Sequence, residues 1–221
     1  MTNVVGIFGG RDMGIIAKGF FSKVVLVLIA QAVTSCGSRP AKLQGYWTNP
    51  EYKFRPFTTI LVVGVSNEPM QRRTLEDEFV RQLRSVGDAA TASYTVIPEN
   101  GQAERSLLTR TIEDTGVDAV LITRLVRGTG YTPGWGTWAW ANAAKARNYY
   151  DDYAEAWMAH YDVSVVAQAD YVSLQTSLFT VRDSQILWYG LTGVFPPSRF
   201  EQDMQGIASE IVGTLHKLRP Q

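Results

Sequence analysis

The spacing of apolar residues changes along the chain, and each change predicts a different kind of element. Residues 58–65 form an unbroken run, Thr58-Thr59-Ile60-Leu61-Val62-Val63-Gly64-Val65. A continuous β-branched run of this length predicts a strand buried on both faces. Ser66-Asn67-Glu68-Pro69 follows, with short polar side chains suited to capping and a proline suited to the first turn of a helix. Leu75, Phe79 and Leu83 then recur every four residues among Arg72, Arg73, Glu76, Asp77 and Arg81, so the helix is amphipathic, and Gly87 ends it. The pattern repeats with a strand over 92–97, a helix over 104–114 carrying Leu107, Leu108 and Ile112, a break at Gly116 and a third strand over 118–122. Strand–helix–strand–helix–strand implies two right-handed crossovers and a partly parallel sheet.

In the second half the apolar period becomes two. Residues 161–166, 172–181 and 185–194 read as three strands joined by tight turns, with Arg182-Asp183-Ser184 as a hairpin turn. In the middle one Val172, Leu174, Thr176 and Leu178 alternate with Ser173, Gln175 and Ser177, which predicts a strand with two different faces. A closing helix over 199–218 places Met204, Ile207, Ile211, Leu215 and Leu218 on one side. The expected fold over residues 57–221 is a single α/β (α+β) domain: a mixed sheet built from a βαβαβ half and a β-meander, covered by helices.

Between the third strand and the meander runs an insert, about residues 128–157, that follows neither period. It holds Tyr131, Trp135, Trp138, Trp140, Tyr149, Tyr150 and Trp157, and four of the chain's six tryptophans. A connection this long inside a compact domain is commonly functional. Aromatic side chains give large contact area at small entropic cost. Three readings stand side by side: a lid folded over a sheet end, a protein-docking surface, and a membrane- or glycan-facing lobe. Tyr131, Trp135, Trp138, Trp140, Tyr149 and Tyr150 are the candidate partner- or ligand-binding residues.

Ahead of the domain, Lys18 and Lys23 precede the apolar run Val24-Val25-Leu26-Val27-Leu28-Ile29-Ala30, which leads to Val33-Thr34-Ser35-Cys36-Gly37. A basic stretch, a short apolar core and small residues at a cut site make a secretory signal peptide. The core is about half the roughly 20 residues that a bilayer-spanning helix needs. The one cysteine of the chain, Cys36, follows the small Ser35, and this arrangement resembles the bacterial lipobox, whose cysteine is lipidated and becomes the mature N-terminus. The expected organisation is a lipoprotein signal peptide over 1–35, a tether over 36–56 marked by Arg39-Pro40, Asn49-Pro50 and Arg55-Pro56, and then the domain.

Composition removes several functions. Lys plus Arg and Asp plus Glu each number 21, which leaves no basic footprint for nucleic acid. A single cysteine allows no intramolecular disulfide, and lipidation removes its thiol from chemistry. The histidines, His160 and His216, are the only two and fall in no metal-ligand pattern. Glu76-Asp77-Glu78 and Asp151-Asp152 lack the spacing of a calcium loop. No nucleophile–base pair emerges, so catalytic residues, metal and cofactor are expected to be absent apart from a covalent lipid on Cys36.

The lipobox, the tether, the βαβαβ half opening on Ile60-Leu61-Val62-Val63 and the following meander together resemble a group of small bacterial outer-membrane lipoproteins. Gly116-Val117-Asp118-Ala119-Val120-Leu121 and Ser184-Gln185-Ile186-Leu187-Trp188-Tyr189 resemble segments common there. These proteins carry a three-layer α/β domain akin to the N-terminal domain of TolB; the penicillin-binding-protein activator LpoB and the curli secretion lipoprotein CsgG share that design. The resemblance covers roughly residues 57–218 and leaves the aromatic insert unmatched. It implies a periplasm-facing outer-membrane lipoprotein that scaffolds or regulates an envelope assembly through an envelope protein partner, and Gly37 after the cysteine resembles the sorting signal for that membrane. The alternative is a lipoprotein that binds a small ligand or cell-wall glycan.

Overall fold

The computed structural model describes residues 41–52, 57–98, 104–127, 148–161 and 169–218. The expected class is what the chain forms: six strands make one mixed sheet that does not close into a barrel, with four helices among the described residues. In chain order the elements are β1 (Leu43–Thr48), β2 (Thr59–Val65), α1 (Pro69–Ser85), β3 (Ala89–Ala92), α2 (Arg105–Thr115), β4 (Ala119–Arg127), α3 (Tyr149–Tyr161), β5 (Val172–Thr180), β6 (Ile186–Thr192) and α4 (Phe200–Lys217). The sheet order is β1-β6-β5-β4-β2-β3. β2 pairs in parallel with both β3 and β4, while β4, β5, β6 and β1 are successively antiparallel.

Three layers follow from this order. α1 and α4 cover one face, where Leu75, Phe79, Met204, Ile207 and Ile211 meet Ile60, Val62, Leu121, Leu174 and Trp188. On the other face α2 and α3 bring Leu108, Ile112, Tyr153 and Trp157 onto Leu61, Val63, Val120, Ile122 and Phe179. β2 therefore buries both sets of side chains, as its unbroken apolar run requires. α1 starts at Pro69 with Glu68 as its cap residue and no side-chain capping bond. Ser66 acts one step earlier instead: its hydroxyl accepts from the Glu68 backbone N–H (3.1 Å) and donates to Gln71 Oε1 (2.7 Å). α2 ends on Gly116 at φ 62°, a left-handed cap where glycine carries no steric penalty. The hairpin turn before β6 is closed by Ser184, also at positive φ (55°).

The structure corrects four expectations. Residues 43–48, expected to be tether, form the edge strand β1, with Tyr46 opposite Gly190 and Thr48 opposite Trp188. Asn49 extends the pairing, its backbone N–H donating to the Leu187 carbonyl (2.9 Å) and its amide to that of Ile186 (3.0 Å). The strand expected at 92–97 is displaced: β3 covers Ala89–Ala92, and Ser93–Thr95 is a single 3-10 turn. The strand expected to begin at residue 161 is contradicted there, because α3 runs through Tyr161; residues 162–166 lie outside the described residues. Finally, the two faces of β5 differ in chemistry but not in exposure, since all nine of its residues are buried.

Candidate functional site

β2 leaves the sheet toward α1 on one face, and β4 is followed by residues 128–147 and then α3 on the other. The strand order reverses between them, and open α/β sheets bind ligands in the crevice outside the carboxyl ends of strands at such a point. Val65 of β2 stands opposite Arg124 of β4 there. Arg124 is in turn opposite Gln175 of β5, with Ile122 opposite Ser177 and Val126 opposite Ser173. The period of two puts Arg124 on the α2/α3 face, in line with Ile122 and with the Ser173-Gln175-Ser177 stripe.

This stripe is buried: Gln175 is 6% and Ser177 1% exposed. Arg124 Nη2 donates to Gln175 Oε1 at 3.3 Å. Arg124 Nε and Nη1 and the Ser177 hydroxyl are also buried, and none has a hydrogen-bond partner among the described residues. Among the described residues no carboxylate pairs with Arg124. The arrangement offers positive charge and hydrogen-bond donors in a setting that is otherwise apolar.

Across β2 lies a second arginine, Arg72, which is fully buried where Arg124 is half-buried and has the opposite character. Arg72 of α1 donates from Nε to Glu76 Oε1 (3.0 Å) and from Nη2 to the Ser93 hydroxyl (3.0 Å). Glu76 collects further bonds from the backbone N–H groups of Gly64 (2.9 Å) and Tyr94 (2.8 Å) and from Ser93 Oγ (2.7 Å). Burial pushes the Glu76 carboxyl above its usual range, against the pull of the Arg72 guanidinium and of these donors. The cluster ties α1 to β2 and to the turn after β3, and every group in it is committed to that task.

Of the candidate site residues, two are described. Tyr149 is 3% exposed and packs edge-on to Phe179 (6.5 Å between ring centres) in the core beneath α3. Its hydroxyl donates to that of Tyr150 at 2.8 Å. Burial, followed by that bond, pushes the Tyr149 phenol up. Tyr149 is thus a core residue, a correction to its reading as a binding residue; half-buried Tyr150 has Arg105 4.8 Å above its ring. Cys36, Tyr131, Trp135, Trp138 and Trp140 lie outside the described residues.

Sequence reasoning missed α3 and Arg124. For α3 the signal was there: Tyr149, Tyr153 and Trp157 recur every four residues, and Asn148 precedes them. Asn148 caps the helix, its side-chain oxygen accepting from Tyr150 (2.9 Å) and Asp151 (3.0 Å) N–H. Arg124 gave no signal, because nothing local marks it as facing inward.

At the opposite end of the sheet an open cleft of about 280 Å³ is lined by Tyr52, Phe57, Asp118, Thr180, Arg182 and Asp183. Asp118 Oδ2 accepts from the backbone N–H and hydroxyl groups of both Thr58 and Thr59, at 2.8 to 3.2 Å. These bonds, the Thr58 N–H first, hold its carboxyl below the usual range. Asp118 thereby clips the start of β2 to the start of β4. Among the described residues no group of His, Cys, Asp and Glu side chains is placed to hold a metal, and no helix is long and apolar enough to cross a membrane.

No protein-family model matches the chain, and no curated protein matches it. Solved structures of the PelC dodecamer from Paraburkholderia phytofirmans are similar at 11% identity, one with a TM-score of 0.43 over 80% of this chain and 97% of that one. A single-substitution variant of the same dodecamer, in a second crystal form, gives 0.42 over 78% and 96%.

Proposed function

We propose that this chain is an exported lipoprotein, anchored through a lipid on Cys36 to the outer membrane and facing the periplasm. Its α/β domain scaffolds or regulates a cell-envelope assembly through protein–protein contacts and catalyses no reaction. The observation that carries this reading is the order Lys18, Lys23, the apolar run over 24–33, Ser35 and Cys36 directly ahead of a domain whose first strand begins at Leu43. The likeness to small bacterial outer-membrane lipoproteins supports it. The contact is assigned to Tyr131, Trp135, Trp138, Trp140 and half-buried Tyr150, because Tyr149 is spent on the core.

The test is crosslinking in living cells followed by affinity capture and mass spectrometry. Wild type is compared with a variant carrying serine at positions 131, 135, 138 and 140, which leaves α3 intact. A defined envelope protein captured by wild type and lost from the variant supports the reading. Equal capture by both removes the aromatic residues from the contact, and absence of any stable partner removes the scaffold role. A Cys36→Ser variant that still partitions with membranes would remove the anchor.

The second reading, binding of a small ligand or cell-wall glycan, is favoured by the open cleft where Tyr52 neighbours Asp118, Arg182 and Asp183. Aromatic faces stack on sugar rings while carboxylates take their hydroxyls. Fluorescence unchanged by a panel of cell-wall fragments would count against it.

A further inference from the structure

We propose that the α2/α3 face of the sheet, where β2, β4 and β5 run side by side, holds a binding site for a small carboxylate, bound by Arg124 with help from Ser177 and Gln175. Buried polar groups in folded proteins are almost always hydrogen-bonded, and leaving a charged one unpaired is costly. Among the described residues Arg124 retains two buried nitrogens, Nε and Nη1, without partners, and Ser177, 1% exposed, has a free hydroxyl on the same face. Ser177 is the diagonal neighbour of Arg124 across the antiparallel β4–β5 pair, since Gln175 is directly opposite. Such neighbours lie about 7–8 Å apart, within reach of an arginine. The two orphaned groups therefore belong to one place.

The chemistry of the lining selects the ligand. A guanidinium presents N–H groups in a plane that matches a carboxylate. Arg124 is the one cation in its row across the sheet, Val65, Arg124, Gln175 and Leu191, so a single negative charge is neutralised; a phosphate dianion would bring a second charge with nothing in the row to meet it. Gln175 fixes one edge of the guanidinium through Nη2 and aims the rest. The neighbouring positions in the row are apolar, Val65 on β2 and Leu191 opposite Gln175 on β6, which suits a carboxylate attached to an apolar body. This site is independent of the aromatic contact proposed above and of the cleft at the other end of the sheet.

Thermal unfolding of the full-length chain tests the assignment with sodium benzoate as probe. Benzamide serves as its neutral counterpart, with sodium chloride and sodium phosphate at matched ionic strength. Benzoate is expected to raise Tm saturably by several degrees at concentrations far above its Kd, while benzamide and chloride do not. Arg124→Met, which keeps length and packing but removes the unpaired donors, is expected to match or exceed the unliganded wild-type Tm and to abolish the benzoate shift. Ser177→Ala is expected to leave the unliganded Tm unchanged and to weaken benzoate about tenfold, the effect of one lost hydrogen bond. A benzoate shift that survives Arg124→Met, or one reproduced by benzamide or chloride, overturns the site. A larger shift with phosphate overturns the ligand class. A fall in unliganded Tm of more than a few degrees in Arg124→Met makes the arginine structural, and the proposal fails.

Discussion

Arg72 and Arg124 lie on opposite faces of the sheet, near the same end of β2, and their surroundings differ in kind. Arg72 is 2% exposed and has Glu76 and Ser93 within hydrogen-bonding distance; Arg124 has one bond among the described residues, to a neutral amide. Both positions cost desolvation. Only at Arg72 is that cost offset by a partner of opposite charge, helped by the Gly64 N–H on the same Glu76 oxygen and by the Tyr94 N–H, which satisfies the other. The contrast shows that burial of a charge is not a mark of function. What separates a tie between elements from a receptive group is whether the hydrogen-bonding capacity is already used.

The same substitution at both positions breaks the comparison most directly. Arg72→Met strands Glu76 among donors with no cation and is expected to cost about 3–5 kcal/mol in urea unfolding; Arg124→Met is expected to cost nothing. Equal losses at the two sites would erase the distinction. A smaller effect tests how tightly the Arg72 side of the sheet is filled. A methyl on Gly190 would fall 2.1 Å from Trp188 Cη2, whose indole stacks near Tyr46. Gly190→Ala is thus expected to cost about 1–3 kcal/mol and to lower Tm.

Asp118 gives a pH signature. Its folded pKa lies below the ordinary 3.8, so its contribution is fully present above that value and is lost as pH falls through the lowered folded value. Because the group is largely exposed, the loss is expected to stay below about 1 kcal/mol. Urea midpoints followed from pH 6 to pH 2 should fall less for Asp118→Asn than for wild type; parallel curves would rule the clip out. The smallest effect is expected at Tyr150→Phe, which removes the acceptor of the Tyr149 hydroxyl and costs about 0.5 kcal/mol, the low end for one hydrogen bond. A cost above that of Gly190→Ala would make the α3 side the tighter of the two.

Those elements that sequence made legible carry their pattern locally. β2 announces itself by an unbroken apolar run, and α1, α2 and α4 by apolar residues every three to four positions, closed by Gly87, Gly116 and the final turn. β1 was illegible because its stability comes from residues 186–192, far along the chain, and its neighbours Asn49-Pro50 read as a loop. α3 was masked by its own composition: an aromatic helix followed by an apolar stretch imitates an insert followed by a strand. The site was illegible for a deeper reason. Serine, glutamine and serine at alternate positions read as a polar, solvent-facing row, yet all three are buried in β5.

The pairing of β1 with β6 also bears on the order of events after synthesis. β1, the first strand of the sheet to be made, can close only on β6, the last, with Leu43 waiting for Thr192. Contacts between such distant parts of a chain form slowly, because a large loop must close before they stabilise anything. A chain exported unfolded from its N-terminus would therefore cross with one sheet edge still open, and would complete that edge only after its C-terminal third had followed.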